Sequence, residues 1–321
     1  MGIIKILVKT LLGGLALLFI LLTSLYLYHT YQLKVEARNF PPLGELVEIK
    51  QKKIHIYREG DGDFSLVFLA GHGTVAPTLD FKPLWKRLSD NFRIIVIERA
   101  GYGWSEPSKI PRDIDTVLEE SRKALKLAGE SAPYVLIPHS MSGLEAIHWA
   151  QKYPEEVKAI IGLDPSVPAV YDDLSLLRSQ GKQLKILAII SRVGVTRLMD
   201  QATLKKMLPI ILSTALSKAD KRIIKALFYR SALTRNMVNE IDYIPKNIQT
   251  IASYPLPAET PMLFFISDGG DSFFPDWQEK LTHFLSEITN GQGHHLACGH
   301  FVHYEKAEEI ADEIKKYLRN F

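Results

Sequence analysis

Apolar side chains run unbroken by charge from Thr10 to Tyr28, then give way to short blocks separated by polar turns. The first run is apolar on every face, unlike a core helix, which keeps a polar stripe. Helical residues rise about 1.5 Å each, so this run reaches about 28 Å, close to the roughly 30 Å hydrocarbon core of a bilayer. We read 10–28 as an uncleaved membrane span within an N-terminal unit of residues 1–31. A cleaved signal peptide is the competing reading, but the small residues around Val35 and Ala37 lie too far downstream for its cut site. Lys5 and Lys9 precede the span, Tyr26, Tyr28 and Tyr31 stand at an interfacial belt, and Lys34 and Arg38 follow. The flanking charge is nearly balanced. The short N-terminal tail favours a single-pass protein with its large domain extracytoplasmic. A linker, 32–45, ends in Pro41-Pro42-Leu43-Gly44.

Beyond the linker, strand and helix signals alternate. Apolar blocks at 46–50, 53–58, 64–70, 93–98, 134–137, 159–163 and 262–266 read as strands, several of them apolar throughout. Between them, 84–88, 114–128, 142–152, 275–285 and 306–318 read as helices; Ile114, Val117, Leu118, Ser121, Leu125 and Ala128 form one stripe at helical spacing. Alternation of this kind predicts an α/β fold with a mostly parallel sheet covered on both faces, and sites beyond the carboxyl ends of its strands. It lapses between about 165 and 257, a basic stretch rich in Leu, Ile and Met that predicts a helical cap packed on its own small core. The chain thus divides into core 46–165, cap 166–257 and core 258–321. An apolar, basic cap also suits a membrane surface or a lipid-like substrate.

Composition narrows the function classes. The 321 residues are 46% hydrophobic with a net charge of +3, which gives no footprint for nucleic acid. The single Cys298 excludes an internal disulfide and a cysteine-based zinc cluster. No cofactor is implied. The sequence carries no signal for oligomeric state.

The chemistry gathers at predicted strand ends. Pro138-His139-Ser140-Met141-Ser142-Gly143 follows the apolar block 134–137 and opens a helix, the setting in which a serine is lifted from a sheet as a nucleophile. A serine hydroxyl needs a base within reach, oriented by a third group. His300, on a glycine-bearing loop before the last helix, suits the base, since imidazole titrates near pH 6.5. For the acid, the turn after 262–266 offers Asp271, our choice, and Asp268 as the alternative; Asp164, after 159–163, is a further candidate whose simpler role is helix capping. Two N–H donors should hold the oxyanion: Met141 at the helix start, and Thr74 (Val75 next to it) in the loop after 64–70. His72 and His139 read as structural or orienting residues.

Assembled, these motifs resemble the α/β-hydrolase superfamily, specifically its cap-bearing serine hydrolases, over about residues 44–321. Gly71-His72-Gly73 looks like the family's oxyanion loop, Glu98 to Ser105 its D-x-x-G-x-G-x-S turn with Glu for Asp, and Gly299 to Glu305 its histidine loop. Met262 to Pro275 resembles its acid strand, with Asp271 in the D-x-x-x-P pattern, and the order Ser140, Asp271, His300 is the family order. The elbow departs from G-x-S-x-G at Pro138 and Ser142. Proline fits a strand end that needs no N–H there, serine is nearly as small as alanine, and neither change removes a reacting group. The resemblance implies acyl-enzyme hydrolysis, and the anchor and apolar cap favour a small or lipid-like acyl ester as substrate. An aminopeptidase or amidase of the prolyl-iminopeptidase kind is the enzymatic alternative, and a catalytically silent binding protein the alternative from another class.

Overall fold

The polar turns do what the pattern requires: they return the chain so that its apolar blocks lie side by side. The computed structural model describes residues 2–269 and 274–321. The elements run α1 (Gly2–Asn39), β1 (Glu45–Ile49), β2 (Lys52–Glu59), β3 (Ser65–Leu69), α2 (Pro77–Asp80), α3 (Lys82–Leu88), β4 (Arg93–Glu98) and α4 (Ile114–Leu127). They continue with β5 (Tyr134–Ser140), α5 (Ser142–Lys152), β6 (Val157–Pro165), α6 (Leu174–Val193), α7 (Gln201–Met207), α8 (Lys218–Ser231) and α9 (Arg235–Ala252). Last come β7 (Met262–Ser267), α10 (Trp277–Ser286), β8 (Gly291–Leu296), α11 (Val302–Glu305) and α12 (Ala307–Leu318).

The eight strands form one sheet in the order β1-β2-β4-β3-β5-β6-β7-β8, parallel from β4 to β8 and antiparallel where β1 meets β2 and β2 meets β4. Two apolar clusters cover it. On one face α4, α5 and α10 contribute Leu118, Trp149 and Leu281; on the other, α3 and α12 contribute Leu84, Trp85 and Ile310. A third cluster, around Leu204, Ile224 and Phe228, lies beneath the cap against Leu79 and Trp104 of the core. The cap segment is helical from α6 to α9, as its pattern predicts.

Two elements differ from expectation. Residues 32–39, read as linker, continue α1 without a break: the segment holds no Gly or Pro, and Pro41-Pro42 ends the helix instead. β8 was invisible in the pattern because Gly291-Gln292-Gly293-His294-His295-Leu296 has no apolar alternation; it is an edge strand placed by parallel pairing with β7.

Candidate active site

β5 ends at Ser140 in the left-handed region, φ 53°, a conformation a non-glycine residue adopts only when its surroundings impose it. The surroundings are visible. Ser142, 1% exposed, accepts a hydrogen bond from the His139 N–H at 3.0 Å, and its hydroxyl lies 2.7 and 2.8 Å from the carbonyls of Leu69 and His139. The residue standing where a glycine is usual thus ties the elbow to the end of β3. The position with no room is the next one: a Cβ on Gly143 would strike the Ser166 carbonyl. Ser166 in turn donates its N–H to the Ser140 carbonyl at 2.7 Å. Pro138 lies in register with Leu69.

Asp164 is the penultimate residue of β6, also at positive φ (49°), with its side chain fully buried. Its carboxylate accepts from the Ser267 N–H (2.9 Å), the Ser267 hydroxyl (2.7 Å) and the Trp277 indole (2.9 Å), and lies 2.6 Å from His300 Nδ1. The expected partner, Asp271, lies outside the described residues. Asp268 bonds through its N–H to the Cys298 carbonyl at 3.2 Å. The strand-end rule offers carboxylates on two adjacent turns and does not rank them.

His139 links the serine to the histidine loop. Its Nε2 lies 3.1 Å from the His300 carbonyl, and its ring lies 4.8 Å from that of His300 and 4.6 Å from that of His303. Burial, and then the neighbouring His303 and His300, hold its imidazole well below the usual range. It is therefore neutral at pH 7. Gly71 faces it: a Cβ there would approach His139 Nδ1 at 2.8 Å and the Ser140 Cβ at 2.9 Å. A second buried pair, His303 Nε2 and Asp80 Oδ2 at 2.7 Å, flanks this group; sequence reasoning missed it.

The oxyanion candidates stand at two element ends. Met141 caps α5, where the first N–H groups of a helix lack intrahelical partners. Thr74 sits on the loop 71–76, whose turn requires Gly73 at φ 78°. His72 Nε2 lies 2.9 Å from the Met237 carbonyl, holding that loop to α9, and burial lowers its pKa. Arg99 strengthens the same junction: it donates to the Ala70 carbonyl (2.7 Å), to Glu240 of α9 (3.1 Å) and to Tyr102 (3.0 Å). Glu98, in place of the usual Asp, is fully buried; burial would raise its carboxyl, but His55 Nδ1 at 3.0 Å and the N–H groups of Trp104 and Thr78 hold it below the ordinary range. Gly103 is needed beside it, since a Cβ would strike that carboxylate.

A cavity of about 280 Å³ opens between the core and cap, lined by Thr74 and Val75, by Phe301 of the histidine loop, and by apolar cap residues including Leu187, Ile190 and Met207. Among the described residues, no group of three or more His, Cys, Asp and Glu could hold a metal ion.

Residues 68–205 match the model of the alpha/beta hydrolase fold family. The chain is 37% identical to the uncharacterized protein YbdG of Bacillus subtilis over 248 residues, 77% of this chain and 76% of that one. Among solved structures, an epoxide hydrolase from Bacillus megaterium superposes with a TM-score of 0.65 at 17% identity, over 86% of this chain and all of that one. An enol-lactonase from Burkholderia xenovorans gives 0.61 at 16%, over 85% and 99%. These structural likenesses show the fold.

Proposed function

The chain belongs to the α/β-hydrolase fold family, and from that premise we propose a membrane-anchored serine hydrolase that works through an acyl-enzyme on a carboxylic ester. Ser140 attacks the acyl carbon, and His300 Nε2 takes the hydroxyl proton and later returns it to the leaving group. Asp164, rather than the expected Asp271, orients His300 and balances the imidazolium that forms. The N–H groups of Met141 and Thr74 hold the oxyanion. Water then repeats the sequence on the acyl-enzyme.

The observation that carries this reading is the 2.6 Å contact between His300 Nδ1 and a buried carboxylate whose remaining positions are filled by Ser267 and Trp277. That arrangement sets the tautomer: Nδ1 carries the proton, leaving Nε2 free to act as base. The strained φ of Ser140 supports its exposure at the elbow. The ester preference draws on the apolar cavity and on the enol-lactonase among the structural neighbours. The anchor reading rests on α1, long and apolar enough to cross a membrane.

A fluorophosphonate probe should label the folded protein, and Ser140→Ala should abolish the label. Absence of Ser140-dependent labelling would sink the serine-hydrolase reading. For the acid, Asp164→Asn should lower kcat by about 10²–10⁴-fold, the range expected when the imidazole loses its correct tautomer. Asp271→Ala should leave most of the turnover, and the reverse outcome would return the role to Asp271.

A further inference from the structure

α1 is one helix with two different surroundings. Residues 2–24 are exposed throughout, whereas on one stripe at helical spacing His29 is buried and Leu25, Gln32, Leu33 and Glu36 are half-buried against the domain. At about 1.5 Å per residue the uncovered arm is about 34 Å long, matching a hydrocarbon core of about 30 Å. The covered part is clamped to the cap. Arg197 donates to both carboxylate oxygens of Glu36 at 2.7 Å and, through Nε, to His29 Nδ1 at 2.8 Å, and its guanidinium lies over the Tyr229 ring. Gly194 (φ 90°) completes the seat, since a Cβ there would come 2.5 Å from that of His29. The indole of Trp104 donates to the Phe40 carbonyl at 3.1 Å, tying down the helix end as well. No flexible tether separates the arm from the domain.

The same clamp stands beside an exposed apolar surface. α6 ends at Val193, next to Gly194, and within about 12 Å along its axis it exposes Ile186, Leu187, Ile189 and Ile190. Leu187, Ile190 and Met207 are exposed yet also line the cavity, so they form its mouth, and that mouth is apolar.

Resting on the anchored-hydrolase reading, we propose that the cap docks on the bilayer that holds α1, with the Leu187–Ile190–Met207 mouth set against the lipid. The substrate class follows: an acyl ester already partitioned into the membrane, entering the cavity from the lipid side rather than from water. The rigid continuity of α1 across the bilayer boundary, and the adjacency of mouth and clamp, select the bilayer over a soluble partner as the occupant of this face.

Two independent arms test it with the full chain in phosphatidylcholine/phosphatidylglycerol vesicles. In a Cys298→Ala background, an environment-sensitive fluorophore on Ile189→Cys should shift to the blue and be quenched by nitroxide-labelled lipid; the same label on Lys316→Cys, on α12, should not. An unquenched, water-like signal at 189 overturns the proposal. So does a blue shift that lipid nitroxide leaves unquenched and that grows with protein density, which would mean that a second copy covers the face. In the activity arm, Ile186→Glu/Ile189→Glu should lower hydrolysis of a vesicle-embedded long-chain ester about tenfold while changing that of a water-soluble short-chain ester less than about twofold. Equal losses on both substrates, or on neither, overturn it. Failure of Ser140 labelling would remove the hydrolase reading, while the quenching arm would still report on docking.

Discussion

Ser142 and Gly143 show how a motif can shift by one residue and keep its physics. The elbow needs one small position where α5 passes β6, and Gly143 supplies it beneath the Ser166 carbonyl. Ser142, relieved of that duty, uses its hydroxyl to satisfy the buried His139 N–H. Ser142→Ala should therefore cost about 1–3 kcal/mol, the range for leaving a buried donor unpaired, measured by denaturant unfolding; Gly143→Ala should cost more, because backbone must move. The acid shows the opposite case, in which the sequence was legible but undecided. Neighbouring strands lie about 4.8 Å apart, so the ends of β6 and β7 reach the same point, and carboxylates on either turn satisfy the strand-end rule. Of the two, Asp164 lies 2.6 Å from His300 Nδ1, which is why we propose it as the acid; Asp271 lies outside the described residues. His139 gives a pH prediction. Its folded pKa is well below 6.5, so below about pH 6.5 the unfolded chain binds a proton that the native state does not. Stability should be fully present above that pH and fall as pH drops toward the folded value. His72 acts in the same direction, and Glu145, whose carboxyl is raised by burial, opposes them at the acid end. Thermal unfolding between pH 7.5 and 5.5 should show a shallower slope in His139→Gln than in the parent; an unchanged slope would remove His139 from the account.

The elements divide by where their signals lie. Strands buried on both faces, such as β3 to β7, announce themselves as apolar blocks, and the amphipathic α4 by its stripe. β8 does not, because it is positioned by its neighbour rather than by its own side chains. The cap was legible as helical, but its attachment was not, since Arg99 and Glu240 are 141 residues apart and each alone looks like a surface charge. Together they join the end of β3 before the loop 71–76, through the Ala70 carbonyl, to α9. Burial disfavours the Arg99 cation, but Glu240, Tyr102 and Glu145 together outweigh this and hold the guanidinium charged. Removing one partner of such a pair strands the other. Glu240→Ala should destabilise the protein by about 3–5 kcal/mol and loosen α9, seen as faster hydrogen exchange across 235–252 and in the loop 71–76. Loss of stability without faster exchange in the loop would mean that the network does not couple the cap to residues 71–76.

At the scale of the whole molecule, α1 is a long apolar helix that reads either as the anchor we propose or as a leader. A signal peptide is discarded, so the mature fold should not depend on it. Here any cut near Ala37 would remove almost all of α1, including His29 and Glu36, both held by Arg197, whose side chain is 8% exposed. Sequence patterning saw the apolar run but assigned its continuation to a linker, because charged and apolar residues alternate there with no long stripe; the stripe that matters spans only Leu25 to Glu36. Two truncations separate the roles. Removing residues 1–24 takes away only exposed surface, so the product should leave the membrane fraction and unfold at the same temperature as the full chain. Removing residues 1–40 strips the clamp, uncovers the seat at Gly194 and leaves Arg197 without its carboxylate. With a loss of about 2–3 kcal/mol, that product should unfold about 5–10 °C lower. Equal melting temperatures for the two truncations would mean that the covered half of α1 stabilises nothing and that the leader reading should be restored.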